Sequence, residues 1–269
     1  MERTPDEAPP GDWSMDDSYA WCEGLAERGY ENFPVAKRLL AGSRRRDLSA
    51  IYAYASVIDD ITDEDRFEGR RRDALAEWEQ LLEDAFHRDV THPVFVAVRD
   101  TARRHTLPIH PFAEMLSAAR MDLTKRRYLS FAELENYCRH AANPIGQLVL
   151  FVHGHREPPL HRFGDCLSTG LRLARILESV RADLERGLCY LPQEDLVHFE
   201  VNLDDVEAGQ ETTEMRELMR FQIVRARGLL VRGQPLLRRV CTELRTELEA
   251  TLEGGLAILS RLEQTAGER

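Results

Sequence analysis

The chain has 269 residues, with 36 Lys and Arg against 47 Asp and Glu, a formal net charge of −11. Apolar residues make up 43% and charged residues 31%, a balance that fits a folded globular protein and excludes global disorder. The acidic excess argues against a nucleic-acid-binding surface, and the longest apolar run, around Leu148–Val152, is far shorter than a membrane span.

Residues 1–16, rich in Pro and Asp, read as a flexible tail without the basic and apolar stretch of an export signal. Residues 17–269 read as a single all-α domain of eight or more helices. Leu48, Ile51, Tyr52, Ala55 and Ile58 follow helical spacing, as do Leu75, Trp78, Leu82 and Phe86. Ser130 and Glu133 form a capping box that opens the stretch Phe131–Val152. Leu167, Leu171, Ala174, Leu177 and Val180 make another stripe, and the segment from about Thr213 to Glu263 is helical with an interruption near Gly233 and Gln234-Pro235. Breaks are expected at Gly69, His92-Pro93, Leu107-Pro108, Pro158-Pro159 and Leu191-Pro192. No strand pattern of convincing length is present. Cys22, Cys138, Cys166, Cys189 and Cys241 are scattered and odd in number, which suggests neither a disulfide framework nor a zinc site and fits a reducing cytoplasm.

The sharpest local feature is Asp59-Asp60-Ile61-Thr62-Asp63-Glu64-Asp65. On a helix Asp59 and Asp63 are neighbours, and Asp60 faces Asp63 and Glu64, so like charges repel. Arg44-Arg45-Arg46 opens the same helix, which places both charge clusters against the helix dipole. A hard cation such as Mg²⁺ would offset the acidic end, since it accepts paired carboxylates alongside phosphate oxygens. A solvated acidic helix end is the plainer alternative.

These residues carry a resemblance. The segment GYENFPVAKRLLAGSRRRDLSAIYAYASVIDDITDE (29–64) resembles the start of the bacterial squalene/phytoene synthase family, in particular its hopanoid-associated branch that makes hydroxysqualene. ARMDLTKRRYLSFAELENYCRHAANPIGQLVL (119–150) is similar to that branch's central helices, including the turn Asn143-Pro144-Ile145-Gly146. LRLARILESVRADLERGLCYLPQEDL (171–196) stands where the family has its second aspartate-rich motif and Tyr-Leu-Pro tail. The resemblance runs from about residue 18 to 260. It implies a class I isoprenoid synthase bundle around a central cavity, in which Mg²⁺ assists ionisation of a prenyl diphosphate. It implies Asp59, Asp60, Asp63 and Asp183 as metal ligands, and Lys125, Arg127, Tyr128, Arg175 and Asn143 as substrate-binding residues. Tyr137, beside the reacting carbons, and Tyr52 are the catalytic candidates. NADPH would be needed only if squalene were the direct product. The implied partners are a farnesyl or presqualene diphosphate, a membrane met peripherally through the lipid product, and a paralogous synthase.

The second motif departs from the family's Asn-x-x-x-Asp-x-x-x-Asp. The same register holds Arg175, Ser179 and Asp183. Arginine cannot ligate a metal and serine does so weakly. Ser56 stands where the family has an arginine before the first motif, and Gly187-Leu188-Cys189-Tyr190 lacks the arginine before the Tyr-Leu-Pro tail. Two readings follow. In one, Arg175 supplies positive charge in place of a metal. In the other, the chain is a catalytically impaired member that serves as a partner subunit or prenyl-lipid binder, with Arg175 paired to Asp59 or Asp63.

The remaining features take plainer readings. His140, His153 and His155 read as core or surface histidines, and Cys138 as a packed thiol. The arginines Arg225, Arg227 and Arg232 read as a solvated helix face, with an anionic membrane as the alternative.

Overall fold

The computed structural model describes residues 11–28, 43–208, 210 and 212–265. The first ten residues of the expected tail, and residues 29–42 of the first family-like segment, lie outside them. The described residues form twelve α-helices and two 3₁₀ turns, with one isolated bridge, Arg127 to Cys189, in place of any sheet. None of these helices is long and apolar enough to cross a membrane. The chain packs as two units. One comprises Met1–Leu123, Pro144–Glu157 and Cys241–Glu247; the other comprises Thr124–Asn143, Pro158–Val240 and Leu248–Arg269.

In the first unit, α1 (Met15–Arg28), α2 (Arg45–Asp63), α3 (Arg71–His87), α4 (Pro93–His105) and α5 (His110–Thr124) surround a core centred on α2. Helix α2 is buried on nearly every side from Leu48 to Ile58, so it forms the middle of the unit rather than its rim. Tyr54 lies at its heart, with ring centroids 5.2 Å from Phe112, 5.9 Å from Phe95 and 6.0 Å from Trp78. Its hydroxyl donates to the Phe112 carbonyl at 3.1 Å, which meets the one polar atom the ring brings inside.

Arg45 and Arg46, unfavourable at a helix start on dipole grounds, find carboxylates on α1. Arg45 pairs with Glu23 and Glu27, each at 3.0 Å, and Arg46 with Asp16 at 2.5 Å. Pro93 begins α4, where its missing N–H costs nothing. A left-handed Thr106 ends that helix just before Pro108.

The expected stretch Phe131–Val152 is two helices, α6 (Phe131–Ala141) and α7 (Asn143–Val152). Pro144 explains the break: it has no N–H to continue α6, and its ring excludes the preceding carbonyls. Asn143-Pro144-Ile145-Gly146 is therefore the first turn of α7. The capping box is half formed. Ser130 Oγ accepts from the Glu133 N–H at 3.3 Å, but the Glu133 carboxylate accepts from Leu129 N–H at 2.8 Å instead of Ser130 N–H.

Helix α7 ends at Gly154 (φ +82°), with Gly154 N–H on Phe151 O and His155 N–H on Leu150 O, both at 2.9 Å. His153 beside it is half-buried, its Nδ1 2.8 Å from Val149 O. Burial holds its pKa below the usual 6.5, against the opposing influence of that bond and of Glu243. The unfolded chain therefore takes up a proton near pH 6.5 that the folded chain refuses. Stability from this site is constant above that pH and falls as pH drops below it. Thermal midpoints measured from about pH 7 down to pH 5 should fall, and His153→Gln should flatten the slope.

In the second unit, α8 (Pro158–Glu185), 28 residues and roughly 42 Å long, packs along α11 (Thr213–Gly233). Between them along the chain lie the short α9 (Gln193–His198) and α10 (Leu203–Glu207), and α12 (Thr242–Thr265) belongs to this unit from Leu248 onward. Glycines allow the α8–α11 approach. A Cβ at Gly233 would stand 2.4 Å from Leu167 Cγ and 2.9 Å from the Phe163 carbonyl oxygen. One at Gly170 would meet Leu230 Cδ2 at 2.8 Å. Gly233→Ala should cost about 1–3 kcal/mol in urea unfolding, since a backbone carbonyl cannot step aside.

Candidate active site

The acidic end of α2 is the first candidate element. Asp59, Asp60 and Asp63 occupy its last turn, which contains no basic residue. Thr62 Oγ1 donates to the Asp59 carbonyl at 2.9 Å. Arg66, in the 3₁₀ turn Asp65–Phe67, brings a guanidinium nitrogen to 3.6 Å from Asp60 and also pairs with Glu64. It lies over the Phe67 ring at 4.6 Å. Sequence reading missed Arg66, because a lone arginine among acids carries no periodic signal.

Among the described residues, no three His, Cys, Asp or Glu side chains already converge as a metal cage. The donor set nevertheless suits Mg²⁺, which binds through one or two carboxylates and keeps sites for phosphate oxygens and water. Asp59 and Asp60 are half-buried and Asp63 is exposed. Tyr52, on the same helix, is buried, and desolvation raises its pKa far above the usual 10. It is a neutral phenol at any working pH. Ser56, where the family carries arginine, is half-buried.

The second element lies in the other unit, around α8. Tyr128, Tyr137 and Tyr190 form a triangle of rings with centroids 5.5, 5.6 and 5.5 Å apart. Tyr128 and Tyr137 are buried. Arg172 donates from Nη2 to Tyr137 Oη at 2.7 Å, and its guanidinium stands 5.6 Å from the Tyr137 centroid and 6.0 Å from that of Tyr190. Lys125 Nζ is 4.8 Å from the Tyr128 ring and 2.9 Å from Glu133 Oε2. Arg127 is exposed, with its backbone bridged to Cys189.

That bridge follows from the end of α8. Gly187 (φ +72°) donates to Leu184 O at 2.8 Å and Leu188 N–H to Asp183 O at 2.8 Å. This left-handed cap reverses the chain, so Cys189 N–H reaches Arg126 O at 2.9 Å and Tyr190 lands on the other two tyrosines.

The residues at the second-motif positions are tied to neighbours. Arg175 pairs with Glu178 at 2.7 Å, and Glu178 also accepts from Arg261 of α12. Ser179 Oγ donates to Asp183 Oδ2 at 2.6 Å. A narrow crevice beside them is lined by Ile176, Val180, Leu184, Leu188 and Tyr190, with Asp183 as its carboxylate. Asn143 is buried and its Oδ1 accepts from Thr169 Oγ1 at 2.9 Å, which ties the chain just past α6 to α8. The thiol of Cys138 is pushed up to about 12 by burial, so it stays protonated and packs.

The reading of Arg225 as part of a solvated face is corrected. Arg225 is held between Phe131 and Phe221, 4.0 and 4.5 Å from their centroids. It pairs with the buried Asp195 at 2.5 Å. Asp195 lies far from Arg225 in sequence, so only tertiary packing reveals the pair. Arg227 pairs with Glu263 at 2.8 Å.

Arg172 and Arg261 were also missed. For Arg172 a signal existed, since it precedes Arg175 by three residues and so shares its helix face. Arg261, some 80 residues away, gave none.

An all-α chain with a carboxylate-rich helix end and a second, modified motif on a long helix has the fold of the class I isoprenoid synthases. The family model for squalene/phytoene synthase matches residues 26–268, and the chain belongs to that family. The phytoene synthase of Arthrospira platensis is 34% identical over 224 residues, covering 78% of this chain and 72% of its own length. The 15-cis-phytoene synthase of Synechococcus elongatus is 30% identical over 263 residues, covering 93% and 85%. The crystal structure of squalene synthase HpnC from Alicyclobacillus acidocaldarius matches with a TM-score of 0.89 at 32% identity, covering 94% of this chain and 95% of that one. A dehydrosqualene synthase structure shares the fold, with a TM-score of 0.81 at 19% identity.

Proposed function

We propose that the chain is a squalene- or hydroxysqualene-type synthase that acts on farnesyl or presqualene diphosphate, with residues 17–269 working as one functional domain. The observation that carries this reading is the acidic end of α2, where three aspartates gather in a turn with no basic residue of its own. Such an arrangement costs helix stability, which Arg66 offsets in part at Asp60 and a cationic ligand would offset further. The similarity to HpnC supports the squalene-type substrate.

Asp59, Asp60 and Asp63 would hold Mg²⁺, and Asp183 is the remaining acidic residue of the family's second motif, a metal ligand by that resemblance. When bound, that ion stabilises the negative charge that develops on a departing diphosphate. Lys125, Arg127 and Arg175 bind diphosphate oxygens. Tyr128 and Asn143 complete the substrate-binding set, Asn143 through its fixed junction with Thr169. Tyr137 steers the carbocation, its phenol oriented by Arg172, and Tyr52 presents a neutral, desolvated ring. Direct formation of squalene would require NADPH, whereas hydroxysqualene would not. Contact with the bilayer is peripheral, through the lipid product.

One observation favours a second reading, an impaired member that works beside an intact paralogue or holds a prenyl lipid. At the second motif, Arg175 is engaged by Glu178 and Ser179 by Asp183. Pyrophosphate release from farnesyl and presqualene diphosphates, measured with Mg²⁺, separates the two. Release by the natural chain supports the synthase. Release only after Arg175→Asn with Ser179→Asp supports the impaired member.

A further inference from the structure

Four positions one turn apart on α8 (Arg172, Arg175, Ser179 and Asp183) share one face, since their spacings are three, four and four residues. Counting Glu178 and Arg261, which pair beside Arg175, three guanidinium groups and two carboxylates leave the cluster net positive. A seat built for metal ions would be negative. The sign therefore fits an anion directly.

The geometry agrees. Arg172 is held by a 2.7 Å bond to Tyr137 Oη and by the rings of Tyr137 and Tyr190 at 5.6 and 6.0 Å. Aromatic faces orient a guanidinium while it keeps its full charge. Arg175 is 46% exposed, and Glu178, which orients it, is shared with Arg261. One carboxylate thus stands between two arginines and cannot neutralise both. A planar guanidinium held in place is a fork matched to two phosphate oxygens.

We propose that this face of α8 binds the diphosphate directly through Arg172 and Arg175, without a metal ion. The proposal rests on the prenyl diphosphate reading above for the identity of the ligand. It assigns Arg172 a role in substrate binding, and it makes the contact of Arg172 and Arg175 with the diphosphate independent of any Mg²⁺ that the carboxylates hold.

Isothermal titration of the full chain with inorganic pyrophosphate tests it, once in metal-free buffer with EDTA and once with Mg²⁺. Binding is expected in EDTA. Arg172→Gln and Arg175→Gln should each weaken it by about 10- to 100-fold, the range for a lost charge-assisted hydrogen bond. Arg172→Lys, which keeps the charge and loses the fork, should recover part of that loss. Arg175→Gln alters an exposed side chain and keeps the test valid should Arg172→Gln unfold. Binding that requires Mg²⁺, or that both Gln variants leave unchanged, overturns this inference and leaves the proposed function standing. Absence of binding in both buffers overturns the two together.

Discussion

Replacing Asp63 by alanine should lower Mg²⁺-dependent pyrophosphate release by about 100-fold or more, the scale of losing one preorganised electrostatic contact to a transition state. The same change should leave the melting temperature unchanged or raise it slightly. Asp63 is exposed in the last turn of α2, where a negative charge opposes the helix dipole, and it sits four residues from Asp59. Relief of those two penalties is worth some tenths of a kcal/mol. Loss of activity without loss of stability is what marks a ligand-binding carboxylate. A solvated acidic helix end would show neither effect on turnover, and a structural carboxylate would lose both. Steady-state release and a thermal melt on the same preparation read out the two quantities.

Replacing Asp47 by alanine should instead cost about 3 kcal/mol in urea unfolding, the low end of the range for breaking a buried ion pair. Asp47 is buried in the first turn of α2, and its carboxylate accepts from Arg104 at 2.5 Å and from His105 at 2.8 Å. Arg104 also bonds Asp100 at 2.8 Å and Tyr19 Oη, while Tyr19 shares a 2.7 Å bond with Thr101. The network joins α1, α2 and α4 in one set of polar contacts. Arg104 keeps 44% of its side chain exposed, which places the expected cost at the low end. Asp47→Asn, which can still accept both bonds, should cost less. No direct change in turnover is expected from Asp47, beyond what a less stable core brings. Asp47 and Asp63 thus have opposite signatures, although both are aspartates of one helix.

Helix boundaries were legible because their causes are local. Pro93 and Pro158 begin helices, Pro192 caps one, and Gly69 turns the chain with φ +79°. The exception was the join at Ala142, where apolar periodicity on both sides concealed the effect of Pro144. The acidic end of α2 was legible as well, since both the repulsion and the dipole penalty follow from spacing alone. The surroundings of the site were not. Arg66 reaches Asp60 by way of a 3₁₀ turn, Arg261 reaches Glu178 from the last helix, and Tyr190 joins Tyr128 and Tyr137 only because Gly187 reverses the chain. Each depends on where the backbone goes after a helix ends. Arg225 shows the same limit: as one of several arginines it reads as part of a solvated face, and Asp195 holds it inward.

The central claim is that this chain converts a prenyl diphosphate. Its most direct test is to incubate the purified chain with farnesyl diphosphate and Mg²⁺, repeat with presqualene diphosphate, and identify the extracted lipids by mass spectrometry. A product that joins two farnesyl units, absent with Asp63→Ala, is the result expected. Recovery of both substrates unchanged, from a chain whose melting temperature does not respond to Mg²⁺ with pyrophosphate, would contradict it.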